Sequence, residues 1–392
     1  KGPRVQHFSH LDDDVRARLF HSPPADVPAT GDIVDRALAL GATLYVPATR
    51  DDLAATVRRR AATGVRSMVL DLEDAVADHD LDGARRHVVQ ALRDLADDPP
   101  EAAVFVRVRT VDDMHRVCDG IATAAAAPAG FVLPKIRPSV GDAFLTAVSD
   151  RAEQLGVPFG VMPVVETPEV VHRETRDEEL SDLREVLSRH RDRVLAVRIG
   201  ATDMSGLFGI RRDRDLTIYD VRVVADTIAA IVNHLGRTDG TGFVVTGPVW
   251  EYFADHERLF RPMLRQTPFA EHDAVRFRTH LVSRDIDGLL REVALDRANG
   301  LYGKTVIHPT HVAAVHALSV VTREEYRDAL DVAAAAGGGV RASDYRNKMN
   351  ESGPHRTWAE RTLRRAHVFG VTADGVSFVD VMRALVVPEG ER

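Results

Sequence analysis

The chain has one cysteine, Cys118, in 392 residues. That excludes an intramolecular disulfide framework and a cysteine-rich zinc site. No run of about 18 apolar residues occurs, so no membrane-spanning helix is expected. Positive charge is not in excess: the net charge is −8, which speaks against a nucleic-acid binder. Lys1 to Asp14 lacks the apolar core of a signal peptide, and a cytoplasmic protein is the expectation. No Gly-x-Gly-x-x-Gly follows an apolar run, so a dinucleotide site has no support. Cys118 lies in a helical pattern with Met114 and Val117 and reads as a buried thiol rather than a nucleophile.

What the chain does have is Val69-Leu70-Asp71-Leu72-Glu73-Asp74-Ala75-Val76. An apolar run ends in three carboxylates within four positions. Such acids repel one another unless a cation, a base or water compensates them. The alternative is an acidic helix N-terminus.

Around this stretch runs a rhythm. Apolar, β-branched segments are expected as strands at 43–46, 67–72, 104–108, 130–133, 159–165, 194–199, 242–245 and 304–307. Amphipathic stretches such as 81–95 and 221–235 lie between them and carry apolar residues at helical spacing. Strands alternating with helices predict a parallel sheet, and eight such units predict a (β/α)8 TIM barrel. Residues 1–40 read as an N-terminal extension, with a short helix from Ile33 to Leu40. Residues 41–320 read as the barrel, with a helical insertion at 249–300 before the eighth strand. That insertion is rich in aromatics (Trp250, Tyr252, Phe253, Phe260, Phe269, Phe277). Residues 321–392 read as a C-terminal helical lid.

Polar residues collect at the carboxyl ends of the expected strands: Arg50, Glu73-Asp74, Arg107, Lys135, Glu166, Asp203, Pro248 and His308. In barrel enzymes that rim carries the active site. Glu166 and Asp203 each follow an apolar strand and fall on adjacent strands. Two hard oxygen ligands, with other positions left to water and substrate, suit Mg²⁺, with Mn²⁺ as the alternative. Each could instead cap the following helix. Arg107 interrupts Val104-Phe105-Val106-Arg107-Val108, and a buried arginine needs an anion, either a nearby carboxylate such as Glu73 or a substrate oxygen. Arg109 reads as a rim residue. Lys135, Arg50 and Pro248 stand where they could contact substrate, although Lys135 could equally snorkel. The spacing of His308-Pro309-Thr310-His311 does not suit a metal pair. His308 is expected to hydrogen-bond at the mouth.

Seven segments occur in an order that resembles the HpcH/HpaI aldolase and citrate lyase β-subunit family. They are Leu44-Tyr45-Val46-Pro47, the acidic stretch at 69–76, Val106-Arg107-Val108, Val132-Leu133-Pro134-Lys135, Val165-Glu166-Thr167, Gly200 with Asp203, and Gly303-Lys304-Thr305-Val306-Ile307-His308-Pro309. The resemblance spans about residues 41 to 370. It implies Mg²⁺-dependent cleavage or formation of a carbon–carbon bond in a small oxo- or hydroxy-acid, or in its CoA thioester, through an enolate. It places the metal on Glu166 and Asp203, gives Arg107 the developing negative charge, and has Glu73 and Asp74 fix a water on the metal and that arginine. It also implies a homo-oligomer, a trimer or hexamer, in which a C-terminal carboxylate closes over a neighbouring subunit's site. Asn347-Lys348-Met349-Asn350-Glu351 stands at that position, with Asn, Asn and Glu where the family has Gly, an apolar residue and Asp, so Glu351 would be the lid carboxylate. A related enolate enzyme such as a CoA thioesterase, or a non-catalytic barrel subunit of a biosynthetic assembly, is the alternative reading.

Overall fold

The structure is a computed structural model that describes residues 4–74, 76–253, 284–335, 340–343, 345, 347, 349–351 and 353–386. Seven parallel strands form one curled sheet: β1 (Ala42–Pro47), β2 (Ser67–Asp71), β3 (Ala103–Arg107), β4 (Gly130–Leu133), β5 (Gly160–Val165), β6 (Arg198–Ile199) and β7 (Lys304–Val306). They are ordered β7-β1-β2-β3-β4-β5-β6.

The gap between β6 and β7 is closed by residues 244–247. Val197 bridges Val245, and Gly247 bridges Lys304. The expected strand at 242–245 is thus not a regular strand but a short bridging segment. The residues at its ends explain why. Gly242 folds back on Arg237, where a side chain would meet the backbone carbonyl at 2.0 Å, and Pro248 has no N–H to continue a ladder. The expected strand at 194–199 is likewise regular only at Arg198–Ile199, with Val194 making one bridge to Val161.

Alternation along the strands divides the core. Leu70, Val104, Val106, Leu133 and Val165 face outward onto helices, against residues such as Val88, Leu92 and Leu145. Val69, Phe105, Val132, Met162 and Val164 fill the barrel. The helix Ile33–Ala39, whose Asp32 accepts N–H bonds from Val34 and Asp35 as an N-cap, adds Ala37 and Leu40 to that inner cluster. It plugs the barrel at the amino ends of the strands.

The N-terminal and C-terminal segments pack together. Residues 371–372 pair with 20–22. Arg364 bonds Asp32 at 2.6 Å and Asp35 at 3.0 Å. Phe8, Phe20, Val368, Phe369 and Val381 share a core with Leu289, Leu290 and Trp250. The helix Arg356–Phe369 therefore lies beside the plug helix of its own chain, at the end of the barrel away from the expected site.

The insertion is helical over Arg284–Ala298. Phe260, Phe269 and Phe277 lie outside the described residues. A buried ion network ties this helix to the barrel. Lys304 Nζ donates to Glu292 Oε1 at 2.9 Å and to Asp296 Oδ2 at 2.7 Å. Arg212 pairs with the other Glu292 oxygen, and the Tyr219 hydroxyl donates to Asp296 at 2.7 Å. Removing one member of a buried pair strands the other's charge. Lys304→Met is therefore expected to destabilise the fold by about 3 kcal/mol. A thermal melt within a degree of wild type would contradict that.

Cys118 is buried, and burial pushes its thiol up to about 11, as expected of a structural cysteine. Among the described residues no helix is long and apolar enough to cross a membrane.

Candidate active site

The register of β2 and β3 sets Asp71 beside Arg107, and paired residues on parallel strands share a face. Both point into the barrel mouth, and they form a bidentate ion pair: Nε to Oδ1 at 2.7 Å and Nη2 to Oδ2 at 2.6 Å. Arg107 Nη1 also reaches Glu73 at 2.9 Å and Asp74 at 3.2 Å. Its guanidinium lies over Tyr45, 5.2 Å from the ring centre. The anion that Arg107 requires is thus this trio of carboxylates. Asp71, the most tightly bound of them, was the one not singled out from the sequence.

Arg109 is not an idle rim residue. It donates to the backbone carbonyls of Leu72, Glu73 and Val76 and pairs with Asp78, so it clamps the loop that presents Glu73 and Asp74.

Lys135, just past β4, links the two halves of the site. Its Nζ donates to Glu73 Oε1 at 2.7 Å and lies 3.6 Å from Asp74 and 3.9 Å from Asp203. Its backbone N–H donates to Glu166 Oε1 at 2.9 Å. To do both it adopts φ +49°, a left-handed conformation costly for a residue with a side chain.

Glu166 follows β5 and is 5% exposed. Burial, and then the charge of Asp203, pushes its carboxyl up to about 7. Asp203 stands in the helix Ala201–Gly206 with its side chain 38% exposed. Between them Gly200 makes room: a Cβ there would lie 1.8 Å from Glu166 Oε2. Gly200→Ala is therefore expected to turn the Glu166 carboxylate away and weaken divalent-metal binding at least tenfold by calorimetry. Unchanged affinity would show that this close approach has no role.

Burial and the contact with Asp74 raise Glu73 despite Lys135 and Arg107. Burial also opposes ionisation of Asp74, but Glu73, Arg107 and Lys135 outweigh it and hold that group below its usual range. Five carboxylates (Asp71, Glu73, Asp74, Glu166, Asp203) thus share two cations. The excess negative charge is concentrated at Glu166 and Asp203, which among the described residues pair with no arginine. Among the described residues no group of three or more His, Cys, Asp or Glu is arranged to hold a metal. A divalent ion here would have two carboxylate ligands and take its other positions from water and substrate, an arrangement that suits Mg²⁺.

The remaining expected residues have other partners. Arg50 pairs with Asp52 on its own loop at 3.0 Å. Pro248 ends the bridging segment beside Val249, whose carbonyl accepts from Arg212. His308 bonds the Thr310 hydroxyl at 2.7 Å and stacks on Phe253. Glu351 lies in a short antiparallel pair, Met349–Glu351 with Val340–Ala342. Its backbone N–H donates to His355 at 3.1 Å, and among the described residues it makes no bond to Glu166 or Asp203. Lys348 lies outside the described residues. One inward arginine was missed: Arg198 on β6 is 1% exposed and donates to the hydroxyls of Thr43 at 3.2 Å and Thr305 at 2.6 Å. Its interruption of Val197-Arg198-Ile199 was the available signal.

The model of the C–C bond lyase family of the TIM-barrel fold matches residues 35–371. The chain belongs to that family. Similar solved structures share the lyase fold at low identity. A citrate lyase from Burkholderia xenovorans LB400 has a TM-score of 0.59 and 19% identity over 89% of this chain and 96% of that one. The protein CitE from Mycobacterium tuberculosis, in complex with magnesium, acetoacetate and coenzyme A, has a TM-score of 0.52 and 23% identity over 83% of this chain and 97% of that one. No curated protein sequence matches the chain.

Proposed function

We propose that this family member is a Mg²⁺-dependent lyase that cleaves or forms a carbon–carbon bond in a small oxo- or hydroxy-acid, or in its CoA thioester. The observation that carries this reading is the buried Glu166 beside Asp203 in a mouth with more carboxylates than cations. The complex of CitE with magnesium, acetoacetate and coenzyme A supports the same classes of ligand here.

When bound by Glu166 and Asp203, the metal would supply Lewis-acid polarisation of the substrate's oxygens. The chain does the rest. Asp71 fixes Arg107 through two bonds and Glu73 and Asp74 take Nη1, which leaves one Nη2 proton for a substrate oxygen where charge develops. In cleavage the substrate hydroxyl loses its proton and becomes a carbonyl. The electron pair of the broken carbon–carbon bond remains as the enolate, which then takes up one proton. Lys135 Nζ, between Glu73 and Asp203, offsets the repulsion among the acids. Glu351, apart from the cluster of its own chain, is proposed to move a proton only from a neighbouring subunit, in a trimer or hexamer whose mouth it closes. A clean monomer by light scattering under assay conditions would remove that role.

The reaction is tested by product analysis. With Mg²⁺ and a carboxylated β-hydroxyacyl-CoA, NMR is expected to show an oxo-acid and a shorter acyl-CoA. Release of free CoA with the hydroxy-acid skeleton intact would make the protein a thioesterase and overturn the cleavage reading.

A further inference from the structure

The end of the barrel opposite the carboxylate mouth holds a second cavity, of about 180 Å³. It lies where the N-terminal segment, the plug helix Ile33–Ala39 and the amino ends of the strands meet. Its walls are apolar: Val27, Leu40, Phe105, Pro128, Val157 and Leu195 among them. Its volume exceeds that of cavities which bind benzene, roughly 150 Å³, so it has room for about six carbons.

One charged side chain lines it, Arg36. The acids nearest Arg36 in sequence, Asp32 and Asp35, are both held by Arg364. Arg36 itself has one long bond, Nη2 to the Pro158 carbonyl at 3.5 Å, and among the described residues no carboxylate within ion-pair distance. A second guanidinium, Arg193, lies close enough to repel it. Among the described residues Arg193 has a loose contact with the exposed Asp192 at 3.9 Å, and its Nε has no hydrogen-bond partner. One guanidinium in the wall of an apolar cavity, without a carboxylate partner among the described residues, describes a receptor for one anionic head and one short hydrocarbon tail.

We infer that this cavity is a binding site for a short unbranched aliphatic monocarboxylate, with the chain against Phe105 and Leu195 and the carboxylate on Arg36. The site is separate from the carboxylate mouth. Phe105 and Val132 stand in the barrel between them, and the strands run roughly 15 Å from one end to the other. A five- or six-carbon acid fits, a dicarboxylate leaves a charge in the apolar end, and an alcohol of the same length lacks the anion.

The test is calorimetric titration of the full chain with hexanoate, with hexanol and adipate as controls. Hexanoate is expected to bind saturably with one site per chain, at least tenfold tighter than either control. Arg36→Gln should weaken it at least tenfold. Ala126→Trp, at an exposed position on the cavity's rim, should do the same by filling the entrance. Asp203→Ala, at the other end, should leave hexanoate affinity unchanged whether or not the lyase reading holds. Absence of saturable hexanoate binding, equal binding of hexanol, an unaltered affinity in either cavity variant, or loss of binding in Asp203→Ala would each overturn the inference.

Discussion

Glu166→Gln is expected to lose about 10³-fold of Mg²⁺-dependent turnover, because several kcal/mol of metal-assisted stabilisation go with it, and yet to melt at a higher temperature than wild type without metal. Both effects have one cause. Burial and Asp203 raise the Glu166 carboxyl from 4.5 to about 7. Between those values the folded chain holds a proton that the unfolded chain has released. The stabilising contribution of this group is therefore complete below pH 4.5 and lost as pH rises through 7. In the metal-free protein it costs the native state on the order of a few kcal/mol at pH 8. Glutamine removes that cost together with the ligand. Melting curves from pH 5 to 8 should show wild type losing stability relative to Glu166→Gln as pH rises, and Mg²⁺ should restore wild type alone. A variant that melts lower at pH 8 than wild type would mean that the carboxylate is compensated within the protein.

Arg107→Ala has the next largest effect, and on both properties. Asp71 and Glu73 are nearly buried, at 5% and 10% side-chain exposure, and both lean on this guanidinium. Stranding them is expected to cost about 3–5 kcal/mol of stability. Activity should fall about 10²–10³-fold, as for loss of one preorganised donor at a developing charge. The two roles separate in Arg107→Leu/Asp71→Leu. An apolar pair should recover much of the stability, because a buried ion pair is replaceable by packing, and recover none of the activity. Activity returning with stability would make Arg107 a scaffold for the acidic loop and nothing more.

The legible parts of the site were those encoded by a break in a local pattern. Arg107 interrupts an apolar strand and Glu166 and Asp203 follow one, and the structure sets all three at one rim. Asp71 carried the same signal but was absorbed into the acidic burst around it. Only the β2–β3 register shows that it, rather than Glu73, holds Arg107 most tightly. Lys135 was ambiguous because part of its role lies in its backbone, whose N–H bond to Glu166 is made with a left-handed φ that no lysine advertises. Gly200 reads like any glycine before a helix, and only the folded site shows that a Cβ there would collide with Glu166 Oε2.

The fold shows the same division. The strand–helix alternation reads directly from apolar runs, whereas strand length depends on what flanks each run in space. The segment at 244–247 is held to bridges by Gly242 and Pro248. The plug helix gave no sign of its place, since Ala37 and Leu40 would suit any buried face. Residues 321–392 read as a lid, on this chain or a neighbour. Much of the described part of that segment packs on residues 8–39 of its own chain, through long-range pairs such as Arg364 with Asp32 that no local periodicity encodes.

The central claim is that Glu166 and Asp203 form a metal site that presents an oxo-acid. Calorimetric titration of Mg²⁺ into the chain with saturating oxaloacetate, on wild type and Asp203→Ala, tests it most directly. The expected result is one saturable site per chain in wild type, strengthened by oxaloacetate, and none in the variant, with both proteins showing the same circular dichroism. Equal Mg²⁺ binding in the two proteins, or none in wild type with or without oxaloacetate, would contradict it.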